Sequence, residues 1–172
     1  MALQRKEFIG STSSSLWTYK IVVTENSIDE DNENSSVTIE NFLGRASSSS
    51  YFAGTLTVNY SVGGQSYSEE KYINSGTISS GGYCSLGSRT FTIPHTDEPM
   101  NISVGGSMST SNFNPNSASA SGEITLTEIV KGKIRIGVGN EYKKAIPYLG
   151  VNGEWKKCKA YIGKDGVWKK GE

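Results

Sequence analysis

The side chains able to do chemistry are few and scattered. The single histidine opens the string His95-Thr96-Asp97-Glu98. One imidazole excludes any site built on two, and a ring beside carboxylates at a strand end reads as a satisfied turn rather than a ligand set. Cys84 and Cys158 stand far apart, without Cys-x-x-Cys or Cys/His spacing. Neither a disulfide framework nor a zinc site is expected of them, and both read as buried or spectator thiols. A thiolate pair of Cys84 with His95 would need a nucleophile motif that the flanking residues lack. Asp29, Asp31, Glu33, Ser35, Val37 and Glu40 fall on ligand positions of a calcium-loop template. Asn34 stands where that template needs glycine, and a strand pattern follows, so the segment reads as a solvated acidic loop. Phosphate-loop and dinucleotide fingerprints are missing too. The sequence therefore predicts no catalytic residue, no metal and no cofactor, and a protein that is not an enzyme.

A stronger signal is cationic and aromatic. Residues 134–146, 147–159 and 160–172 align without gaps as three copies of one 13-residue repeat. Gly137, Gly150 and Gly163 superpose, as do Tyr142, Trp155 and Trp168, and so do the pairs Lys143-Lys144, Lys156-Lys157 and Lys169-Lys170. Asn152-Gly153 and Asp165-Gly166 occupy the centre of a two-residue type I′ turn, where both residues need positive φ. Each copy is expected to be a strand, a tight turn and a strand. One such hairpin is too small to stand alone, so the copies must stack on something. Tyr142, Lys143, Lys144, Trp155, Lys156, Lys157, Trp168, Lys169 and Lys170 are the candidate binding or assembly contacts. The rings are expected to form the core of the hairpin stack, leaving the lysines to meet an anionic partner. Lysines beside aromatics suit a cell-wall polysaccharide or teichoic acid, and nucleic acid is the less expected partner.

The elements that would carry these residues are β-strands in two unlike units. Residues 1–130 hold 6 basic and 13 acidic side chains, whereas residues 131–172 hold 11 basic and 4 acidic, so a net charge of zero hides a split of −7 and +7. The boundary is placed at Val130-Lys131. Upstream of it, Trp17, Tyr19, Ile21 and Val23 alternate with polar residues, and so do Phe52, Leu56, Val58, Tyr60 and Val62. Shorter alternations pair Val37 with Ile39, Phe91 with Ile93, Ile102 with Val104, and Ile124 with Leu126. Turn-forming clusters at Asn26–Ser36, Ser47–Ser50, Gly63-Gly64, Ser79–Gly82, Gly105-Gly106 and Ser109–Ser117 separate them. Seven or so short strands over 130 residues predict an antiparallel β-sandwich. No run reaches the roughly 18 apolar residues of a membrane span, and Met1–Glu7 lacks the apolar core of a secretory signal. The expectation is a chain made in a cytoplasm, with no membrane insertion.

Three stretches of this first unit resemble the Ig-like minor structural proteins of tailed phages that infect Gram-positive bacteria. They are Trp17–Ser27 continued by Asn32–Ile39, then Arg89–Asp97, then Asn116–Ile129. His95 and Asp97 match the family's middle stretch, while Glu98-Pro99 stands where the family turns through glycine. The 131–172 unit is similar to the Tyr-x-Gly-x-x-Gly-x-Trp-Lys repeats that end many phage tail proteins. The resemblance implies an Ig-like sandwich followed by a three-copy hairpin repeat, in a virion component assembled in the bacterial host cytoplasm. It implies a tail, baseplate or surface-fibre position, with capsid decoration or a wall-polymer receptor-binding module as the alternatives. Other virion proteins are the implied partners, and virion symmetry implies a trimer, pentamer or hexamer.

Overall fold

The computed structural model describes residues 3–30, 32–95, 99–129, 135–139, 141–144, 148–158, 161–164 and 167–170. Thr96-Asp97-Glu98, Asp31, Val130-Lys131 and Asp165-Gly166 lie outside the described residues. The chain divides into two compact units, Met1–Ile129 and Val130–Glu172.

The first unit is all-β and antiparallel. Its strands are β1 (Arg5–Thr12), β2 (Trp17–Asp29), β3 (Asn34–Arg45), β4 (Ser50–Val62), β5 (Gln65–Ile78), β6 (Tyr83–Pro94), β7 (Met100–Ser109) and β8 (Ser117–Leu126). They join in the order β5-β4-β7-β8-β1-β2-β3-β6, a single eight-stranded sheet. β1 makes it continuous: Arg5 to Gly10 pair with β2, while Ser11 and Thr12 pair with β8. The edge strands β5 and β6 meet through side chains, which nearly closes the sheet. Gln65 Nε2 donates to Thr92 O at 2.8 Å, and the Arg89 guanidinium lies 3.8 Å from the Tyr67 ring centroid.

Period-two patterning accounts for the core. Trp17, Tyr19, Ile21 and Val23 of β2, and Phe52, Leu56, Val58, Tyr60 and Val62 of β4, all point into one buried cluster with Val37, Ile39, Phe91, Ile93, Ile102, Val104, Ile124 and Leu126. Trp17 meets Phe52 edge-on at 6.0 Å, with the Arg45 guanidinium 4.5 Å from its ring centroid. The Gly63-Gly64 turn has φ of 56° and 83°, the positive pair that a two-residue hairpin loop requires.

The strand count and lengths differ from expectation. There are eight strands of 8 to 14 residues, rather than seven or so short ones. β1 and β5 are the additions. β5 buries only Ile73 and Ile78 because it lies on an edge, so no alternation marks it. Gly105-Gly106 is not a turn but the middle of β7. A Cβ on Gly106 would run into Asn41 Oδ1 and stand 2.7 Å from Ile21 Cγ2, so glycine is there for a close approach across the core. The Asn26–Ser36 cluster is mostly strand as well, since β2 runs to Asp29 and β3 starts at Asn34.

In the second unit β9 (Arg135–Val138) pairs with β10 (Glu141–Lys144), β11 (Tyr148–Val151) with β12 (Glu154–Lys157), and β13 (Tyr161–Lys164) with β14 (Val167–Lys170). The three ladders share one register. Gly137 stands opposite Tyr142, Gly150 opposite Trp155, and Gly163 opposite Trp168. Asn152 and Gly153 have φ of 52° and 82°, as a type I′ turn needs.

Candidate functional site

The β11–β12 ribbon is the best-defined part of the candidate contact. Gly150 opposes Trp155 in the ladder, and an ideal Cβ on Gly150 would lie 3.7 Å from Trp155 Cζ3. The indole thus leans over a residue without a side chain and keeps its other face open. Trp155 is 78% exposed and Tyr148, the diagonal neighbour on that face, 52%. Leu149 and Val151 are also exposed, and so is Lys156. For Trp155 this corrects the expectation that the rings form a hairpin core, because that ring faces solvent. A four-residue ladder places Trp155 at the second position of its strand, opposite Gly150. Tyr142, Lys143, Lys144, Lys157, Trp168, Lys169 and Lys170 hold their ladder positions, but their side chains lie outside the described part.

A second polar constellation is buried in the first unit. Glu25, 1% exposed, takes the next inward position after Val23 on β2. Its Oε1 accepts from Ser35 Oγ at 2.8 Å, and its Oε2 accepts from Thr127 Oγ1 at 2.6 Å. The Thr127 backbone N–H donates to both oxygens, at 3.2 and 3.1 Å, and Gln4 N reaches Oε2 at 3.4 Å. His95, 4% exposed, lies 2.8 Å from Ser35 Oγ through Nε2. The Ser35 hydroxyl hydrogen goes to Glu25, which leaves Nε2–H as the donor to Ser35 Oγ. That polarity is opposite to a base activating a nucleophile. The group therefore clamps β2, β3, the end of β6 and the segment after β8; the turn expected over His95–Glu98 lies, beyond His95 itself, outside the described residues. Neither Ser35 as the partner of His95 nor Glu25 and Thr127 beyond it were foreseen. The signal was present, because Glu25 continues the inward alternation of Trp17, Tyr19, Ile21 and Val23.

The other sequence candidates disperse. Asp29 ends β2, Ser35 and Val37 point inward and Glu40 lies within β3 opposite Val22 and Ser88, so the second half of the calcium template is strand rather than loop. Asp29 instead accepts from Asn32 N and Nδ2 at 3.0 and 2.7 Å. Cys84 is near the start of β6 and His95 follows its end, with about ten residues of strand at about 3.3 Å each between them, which excludes a thiolate pair. Burial pushes the Cys84 thiol above its ordinary pKa, the opposite of activation. Among the described residues no group of three His, Cys, Asp or Glu could hold a metal ion, and no helix is long and apolar enough to cross a membrane. Two adjoining depressions of about 370 and 450 Å³ meet at Asn59 and Ser107 on the outer face of β4 and β7. Serines dominate their lining together with Tyr60, Tyr67, Ala118, Ala120 and Met108, and Asn59 Nδ2 donates to Ser107 Oγ at 3.1 Å.

In comparisons with known proteins, no family model, no curated protein and no solved structure matches the chain.

Proposed function

We propose that the chain is a non-enzymatic structural protein of a tailed-phage virion, a tail, baseplate or surface-fibre component that serves assembly and attachment to the host surface. In this reading the eight strands form an Ig-like sandwich with layers β1-β2-β3-β6 and β8-β7-β4-β5, and the C-terminal ladders are a three-copy hairpin repeat. One observation carries the reading. Each of the three stretches that resemble phage Ig-like proteins sends a residue to the same buried clamp: Glu25 and Ser35 from the first, His95 from the second, Thr127 from the third. A shared clamp is a physical reason for such stretches to keep their sequence together. The attachment half of the reading rests on the open indole of Trp155 beside lysines.

Immunogold labelling of intact particles with an antibody against the chain is the test. Label at the tail tip is expected. Label over the head would make the chain a capsid decoration protein, and particles free of label would overturn the virion reading.

A further inference from the structure

We propose that β1 is an exchangeable strand: it leaves its slot between β2 and β8 and fills the same slot of a second copy of this chain, so that two copies hold together by trading strands. The inference goes beyond the virion reading and does not rest on it.

β1 links most and buries least. Among the described residues it is the sole ladder connection between β2-β3-β6 and β8-β7-β4-β5. Yet none of its eight residues is buried, Ile9 is 72% exposed, and Phe8 alone packs against the core. Neighbouring β2 sends Trp17, Tyr19, Ile21 and Val23 into that core. β1 is therefore held chiefly by backbone hydrogen bonds, which the same strand of another copy makes equally well.

The slot selects this strand over others. An ideal Cβ on Gly122 would run into the Phe8 ring, so β8 is cut away where that ring lies. An ideal Cβ on Gly10 would run into Ser119 O and stand 2.6 Å from Ala120 Cβ, so β1 is cut away where it passes β8. Lys6 Nζ donates to Glu123 O at 3.2 Å, on a stretch of β8 that β1 does not pair. Lys6, Phe8 and Gly10 are alternate residues, opposite Val23, Ile21 and Tyr19, and so belong to one face of the strand. An occupant must bring a cation, a ring and a glycine at that spacing, and a second copy supplies all three.

The hinge is free to straighten. β1 joins β2 through a turn in which Trp17 N–H donates to Ser14 O at 3.1 Å, with Ser15 and Leu16 as its central residues. Neither takes a positive φ, unlike Gly63 and Gly64, so both pass into the extended region without strain. Exchange keeps the contacts of β1 and changes only this turn, so concentration sets the balance. A short linker holds β1 near its own slot at an effective concentration of about millimolar, a density that copies packed side by side in an assembly reach.

The experiment traps the exchange in the full chain, with Cys84→Ala and Cys158→Ala removing the native thiols. Arg5, Thr24, Thr38 and Thr90 form one cross-strand row. One population carries Arg5→Cys and the other Thr24→Cys, and a disulfide between them needs β1 of one copy in the slot of the other. Thr90→Cys, exposed on the same row but two strands farther from β1, measures chance collision. After incubation at about millimolar concentration and oxidation, the Thr24 pairing is expected to give about tenfold more linked pairs than the Thr90 pairing. Proline suits the second position of such a turn and not the third. Ser15→Pro is therefore expected to lower the yield about threefold, and Leu16→Pro to raise it about threefold. Linked pairs no more abundant with Thr24→Cys than with Thr90→Cys, or a yield that ignores both prolines, would overturn the proposal. The assay involves no particle, so its failure leaves the virion reading standing.

Discussion

Replacing Glu25 by Ala removes the acceptor at the centre of the buried clamp, and the structure sets the size of the loss. The Thr127 N–H, which donates to both carboxyl oxygens, belongs to the backbone and cannot turn away. Leaving such a buried donor unpaired costs about 1–3 kcal/mol. The Ser35 and Thr127 hydroxyls also lose their acceptor, but both can rotate, so about 1 kcal/mol covers the two. The truncated side chain leaves a cavity worth about 1 kcal/mol more. The expected total is about 3–5 kcal/mol, a large part of the roughly 5–15 kcal/mol that holds a domain together. Glu25→Gln keeps an oxygen for Thr127 and turns an amide toward Ser35 Oγ, and should cost only about 1 kcal/mol. Urea denaturation of the full chain, followed by far-UV circular dichroism, reads both as shifts of midpoint at constant slope. A Glu25→Ala midpoint within about 1 kcal/mol of the parent would show that the carboxyl group is hydrated rather than clamped, and the convergence of the three stretches would lose its physical basis.

Three further outcomes follow from the core. Trp17→Ala should cost about 3–5 kcal/mol, because the buried indole packs on Phe52 and under Arg45; melting close to the parent would place the ring outside. Gly106→Ala should lose about 1–3 kcal/mol by crowding Asn41 and Ile21, whereas Gly105→Ala meets only the movable Ser61 Oγ at 2.9 Å and should be mild; equal losses in thermal melts would refute the close-approach argument. Burial holds the Tyr19 and Tyr60 phenols above their ordinary value of 10.0, with the hydrogen bond from Tyr60 to Glu69 adding to the second. The unfolded chain therefore gives up these protons first, and stability should be intact below pH 10 and fall as pH rises beyond it. Tyr19→Phe should make that alkaline fall shallower in pH-dependent urea titrations, and an unchanged slope would exclude Tyr19 as its source.

Strand patterning was legible in the sequence wherever a strand has one buried and one solvated face. β2 and β4 declare themselves through Trp17–Val23 and Phe52–Val62. β5 does not, because an edge strand that buries two residues carries no period. Gly105-Gly106 misleads for a related reason: the same dipeptide serves a tight turn at Gly63-Gly64 and a close approach at Gly106, and only the partner strand distinguishes them. The repeat was legible as three copies, and the Gly-to-aromatic pairing follows from a 13-residue period with a two-residue turn at its centre. The exposure of Trp155 did not follow, since burial depends on what lies beyond the ribbon.

By itself the sequence determined what is local or periodic: the all-β character, the glycine turn at Gly63-Gly64, the charge split and the three-fold repeat. These follow from side-chain alternation, allowed φ and counting, each readable within a few residues. Only the tertiary structure decided which strands are neighbours, that β1 links the two halves of the sheet, and that Glu25, Ser35, His95 and Thr127 share one clamp. Those residues are up to 102 positions apart, and no local rule brings them together. Their meeting is a property of the nearly closed sheet, where a buried carboxyl group must find every donor it can reach.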